Sequence, residues 1–160
     1  MQALAKLTTF LGLFAVAANA AFVLVNPPPM PGSSQITPPC GGAAVAEDTN
    51  FTEWPTAGLD VVTTNVTENF GPTFTINVAL LEDDSNFVPW YLSQSGPNGK
   101  LCISRVQPWR IQDWDEEEWL GQTAIFQMVE YVGNGVQNYA CAAIQFVEGS
   151  PAPNFCLGRG

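Results

Sequence analysis

Short runs of β-branched and aromatic residues, each cut off by turn-forming residues, set the strongest limit on how this chain can fold. The runs are Leu59 to Asn65, Thr73 to Leu81, Lys100 to Val106, Ala124 to Val132 and Tyr139 to Val147. Each has the length of a strand, and hardly any stretch shows the 3.6-residue apolar spacing of an amphipathic helix. Thr73 to Leu81 nearly alternates, which puts Phe74, Ile76 and Val78 on one face. Ile125 to Val132 is similar, and Gly133-Asn134-Gly135 supplies a turn toward the next run. Phe22 to Val25 adds an edge strand at the start. A series of this kind predicts an all-β sandwich. The one helical candidate is Gln112 to Leu120, short and heavily acidic, and no internal repeat is visible.

The first 20 residues read as a signal peptide. Lys6 is followed by an uncharged, mostly apolar run from Leu7 through Ala18, and Ala18-Asn19-Ala20 closes it with small residues at the cleavage positions. The run is too short and Ala-rich for a membrane span. Cleavage leaves Ala21 as the new amino terminus and residues 21–160 as a single domain of ordinary size. Asn26 to Cys40 then holds six prolines and a Gly32-Ser33-Ser34 break. Proline fixes φ and donates no hydrogen bond, so this segment is expected to be extended and irregular. The last residues, Gly149 to Gly160, lack the apolar tail of a lipid-anchor signal, so soluble release is expected.

The full chain carries a formal charge of −10, and loss of Lys6 with the leader makes the mature form one unit more negative. Such a surface repels phosphate backbones and anionic lipid, which argues against nucleic acid and polybasic membrane docking. Neutral polysaccharide, cations and basic partners stay open. All four cysteines, Cys40, Cys102, Cys141 and Cys156, follow the leader, and an even count in a secreted chain implies two disulfides with three possible pairings. A four-thiolate zinc site would need closely spaced cysteine pairs, which are absent. Asn50-Phe51-Thr52 and Asn65-Val66-Thr67 are glycosylation sequons.

Several segments, in order, resemble one family: Phe22-Val-Leu-Val-Asn-Pro-Pro-Pro29, Pro38-Pro-Cys-Gly-Gly42, Asn50-Phe-Thr-Glu-Trp-Pro55, Gly99-Lys-Leu-Cys102 and Asn138-Tyr-Ala-Cys-Ala142. Together they are similar to the fungal copper-acquisition-factor-like proteins, small secreted or surface-anchored relatives of lytic polysaccharide monooxygenases. The resemblance spans almost the whole mature chain. It implies an immunoglobulin-like β-sandwich with one copper ion at the exposed amino-terminal edge. It also implies the ligands: the amino-terminal histidine, a second histidine after the strand that follows the Gly-rich turn, and an aspartate behind the Cys-Ala pair of the late strand. Two imidazoles and an amine suit copper, and the carboxylate blocks the axial approach that oxygen chemistry would use. Members are thought to bind or move copper rather than cleave polysaccharide.

This chain departs at each ligand position that the resemblance implies. Ala21 keeps an α-amine but has no imidazole, the second histidine falls near Asn65 or Val66, neither of which replaces it as a nitrogen ligand, and Ala143 replaces the aspartate; the chain has no histidine at all. Copper as cofactor is therefore not expected. The expected bridges are Cys40–Cys141, tying the proline-rich segment to a central strand, and Cys102–Cys156, stapling the tail.

Other chemistry is limited too. Without histidine there is no Ser-His or Cys-His nucleophile pair. Asp113, Asp115, Glu116, Glu117 and Glu118, flanked by Trp109, Trp114 and Trp119, form the one dense acidic run. It could hold a hard cation or present aromatic faces to sugar rings, and the plainer expectation is a solvated face over packed tryptophans. Glu82 to Asn86 reads as a turn, and Trp54-Pro55 and Phe87 to Tyr91 as lining of the sandwich core or its lip. The expectation is a secreted, non-enzymatic fungal surface or binding protein, its partner a cell-wall polysaccharide or a surface protein. A relocated metal site is the alternative, and a carbohydrate-active enzyme stands behind both.

Overall fold

The computed structural model describes residues 22–31, 36–46, 49–64, 73–94, 101–107, 116–131, 135–150 and 156. Eight strands in these residues form two sheets: β1 Val23–Asn26, β2 Thr52–Pro55, β3 Leu59–Thr64, β4 Thr73–Leu80, β5 Val88–Gln94, β6 Leu101–Val106, β7 Thr123–Tyr131 and β8 Gln137–Val147. The smaller sheet has the order β1-β3-β6, and the larger β2-β8-β7-β4-β5. All pairings are antiparallel except β2 with β8, which run parallel. The chain is thus the all-β sandwich expected from its apolar runs, and β1 lies at an edge. Among the described residues, helix is confined to one 3₁₀ turn, Leu81–Asp83, and the four-residue α1, Glu116–Trp119.

The period-2 pattern sets the core. Phe74, Ile76 and Val78 are all fully buried between the sheets, as their spacing predicts. Trp54 stacks on Phe126 at 5.4 Å and meets Trp90 edge-on at 5.7 Å, while Phe22 meets Phe74 edge-on at 5.5 Å. Trp54 also donates its indole N–H to the Val106 carbonyl at 3.1 Å, so the largest core side chain leaves no polar atom unpaired. That bond ties the edge of one sheet to the edge of the other.

The larger sheet is covered on both faces. Along β8, Ala140, Ala142, Ile144 and Phe146 face the inner core, and Cys141 and Ala143 face outward. The outward residues pack with Met30, Cys40 and Ile125 and are flanked by Val45 and Phe51. β7 is accordingly buried at seven consecutive positions, the near-continuous apolar run of a strand hidden from water on both sides.

The cover is the proline-rich segment, and it is held by specific bonds. Met30 donates its N–H to the Cys141 carbonyl at 2.7 Å, and the Gln127 amide donates to the Pro39 carbonyl at 2.9 Å. Asn77 in turn donates to Gln127 at 2.6 Å. The Cys40–Cys141 disulfide locks the segment in place, and Cys102–Cys156 ties β6 to the tail. Both bridges pair as expected.

Two strands depart from what local pattern predicts. β2 carries Glu53 and Pro55, and β5 carries Pro89, residues that strands disfavour. Each sits at an edge of the larger sheet, where a missing N–H costs no ladder bond. Pro89 lies where the β4–β5 register shifts, a bulge that absorbs its lost donor.

Candidate functional site

Of the three ligand positions that the family resemblance singles out, Ala21 and Asn65 lie outside the described residues. Val23 and Thr64, the strand residues nearest to them, are partners across β1 and β3. Ala143 is buried on the outward face of β8, opposite Ile125 and against Met30, Cys40 and Cys141. It lines a cleft of about 460 Å³ with Pro28, Met30, Ala44, Thr49 and Asn50. Phe22, by contrast, points into the inner core.

Two of the donor types that copper favours are missing from this chain. The chain has no histidine, and both cysteine pairs are spent in disulfides, so neither imidazole nor thiolate is on offer. Among the described residues no group of three or more Cys, Asp or Glu side chains converges. Of the acidic run, Glu117 and Glu118 lie on α1, and Trp119 packs edge-on against Phe146 at 5.3 Å. Asp113, Asp115, Trp109 and Trp114 lie outside the described residues. Glu82 to Asn86 is a turn, closed by the Asn86 N–H donating to the Asp83 carbonyl at 3.1 Å.

Two acids that sequence reasoning passed over prove to be structural anchors. Glu130 is fully buried on one rung with Phe74 and Asn138, and the Asn138 amide donates to its Oε2 at 3.0 Å. Because Phe74 touches Phe22, this buried carboxyl lies at the end of the core where β1 begins. Asp60, 4% exposed, accepts the Arg105 N–H on Oδ1 at 2.8 Å and the Cys156 N–H on Oδ2 at 3.1 Å. A signal for both was available: each is a lone acid inside an otherwise apolar strand run, and burying a charge without partners is costly.

Asp60 also organises a bulge. Val61 pairs with Ile103 and Leu59 with Val106, so Asp60 alone opposes Ser104 and Arg105. Arg105 takes φ 51°, and among the described residues no other non-glycine has positive φ. Gly58, at φ 94°, gives it room: a Cβ there would stand 2.9 Å from the Arg105 carbonyl carbon.

A two-sheet sandwich with a disulfide-anchored proline-rich cover over one face defines a small, covalently stapled β-protein. The chain belongs to the copper acquisition factor BIM1-like family, whose sequence profile matches residues 19–157. No curated protein matches it.

Proposed function

We propose that this chain is a secreted, non-enzymatic binding protein on the family's scaffold, from which the copper site has been lost. The observation that carries the reading is the donor inventory: no histidine in 160 residues and all four cysteines oxidised. Copper selects imidazole, amine and thiolate over isolated oxygen donors, and one α-amine at Ala21 is a poor site alone. At Ala143 a methyl group lines the cleft beside Met30, so that side chain offers no electron pair. Copper calorimetry and electron paramagnetic resonance on protein with the authentic Ala21 terminus test this. No tight one-to-one site is expected; finding one would overturn the reading.

Secretion is supported by the leader and by the two disulfides, which persist in oxidising compartments. No helix among the described residues is long and apolar enough to cross a membrane. The Asn50 sequon lies on an exposed residue just before β2, open to modifying enzymes. Secreted from a eukaryotic host, the N50Q variant is expected to lack the mass of one N-linked glycan that the wild type carries. Identical masses would rule out a glycan there.

A further inference from the structure

We infer that the cleft between β5 and β6 binds a sugar bearing a single carboxylate, with Arg105 holding the acid and Tyr91 stacking on the ring. The inference rests on the proposed binding role and gives that role a place and a ligand class. The cleft measures about 370 Å³ and is lined by Trp90, Tyr91, Ser104, Arg105, Val106 and Gln107. That volume is at the lower end of the roughly 300–1,000 Å³ typical of ligand pockets, suited to one or two sugar rings.

The β4–β5 bulge makes Trp90 the extra residue between Pro89 and Tyr91, and the two aromatics differ in exposure. Trp90 is 5% exposed and belongs to the core, whereas Tyr91 is 42% exposed. An exposed aromatic face beside hydroxyl and amide groups offers a pyranose both an apolar platform and hydrogen bonds. Ser104 and Gln107 supply the polar groups here.

Arg105 supplies the sign of the charge. It is the one cationic side chain among the described residues of a chain with 15 acids, and its guanidinium makes no ion pair among them. Its backbone is held where only glycine rests comfortably, and the fold commits Asp60, Gly58 and a bulge to keep it there. A glycine at 105 would satisfy the bulge at lower cost. A long cation held in this uncommon backbone conformation at the lip of a cleft is placed to contact a ligand there. The planar guanidinium fork matches a carboxylate through two parallel bonds. The chain's acidic surface repels polyanions, which restricts the ligand to a lone acid on an otherwise neutral glycan.

The test is calorimetric titration of the full secreted chain at physiological salt. The probes are the disaccharide of glucuronic acid linked to glucose, its neutral counterpart cellobiose, and a short acidic peptide. One site is expected, with the uronate bound at least about tenfold more tightly than cellobiose and the peptide. R105G is expected to erase that tenfold preference while its melting temperature holds or rises, because glycine accepts the positive φ. Y91A is expected to weaken both sugars. Absence of uronate binding up to about 10 mM, equal affinity for cellobiose or the peptide, or an unchanged R105G would overturn the assignment. A tight copper site would sink the proposed function whatever the sugars do. Silent sugars with no copper site would remove the cleft assignment alone.

Discussion

Replacing Cys40 and Cys141 together by alanine is expected to destabilise the protein by about 4 kcal/mol and to lower its melting temperature by about 12 °C. The bridge closes a loop with a sequence separation of 101, for which the chain-entropy estimate is roughly 4.7 kcal/mol. Both cysteines are also buried, at 4% and 0% exposure, so the variant gives up packing as well as covalent restraint. The proline-rich cover would then rest on the packing of Met30 against Ile125 and Ala143 and on the Met30 and Gln127 hydrogen bonds, each worth about 1 kcal/mol. The matching change at Cys102 and Cys156 spans a separation of 54 and ends on a half-buried residue, so it should cost less. Urea titrations of both variants check the order. A loss below about 1 kcal/mol for C40A/C141A would mean that the cover docks without its staple.

The G58A variant should lose about 3 kcal/mol, far more than a surface glycine would. Two costs add there. Alanine at φ 94° must adopt a left-handed backbone, and its Cβ would stand 2.9 Å from both the Arg105 carbonyl carbon and Gln107 Cγ. The Gln107 side chain could move at the expense of its bond to the Ala57 carbonyl, but the Arg105 backbone is fixed by Asp60. Relief therefore requires the β3–β6 bulge to open. Gly121 isolates the conformational share, because its φ is also positive but an added Cβ would meet no atom within 4 Å. G121A should lose about half as much. Equal losses in thermal melts would show that the close approach at Gly58 carries no weight.

How much could be read from residues alone depended on whether neighbours or distant partners set the outcome. β4 was legible because Phe74, Ile76 and Val78 alternate against one core, and both disulfides were legible because the two tether loose segments to strands. β2 and β5 were not, since Glu53, Pro55 and Pro89 break the local pattern and only edge placement excuses them. The helix expected over Gln112 to Leu120 is present as Glu116–Trp119 in the described part. At the candidate site, the substituted positions Ala21, Asn65 and Ala143 followed from the family resemblance. The Asp60–Gly58–Arg105 arrangement did not, because it depends on a register shift between strands about 45 residues apart that no local spacing encodes.

The two disulfides interleave, one joining residues 40 and 141 and the other 102 and 156. Their spans overlap, so cutting any one peptide bond between Cys40 and Cys156 leaves both fragments on the same covalent framework. A protein exposed to extracellular proteases could thus be nicked once in any surface loop of that span and still travel as one molecule. Its edges are then free to carry chemistry that an unlinked sandwich would lose at the first cut.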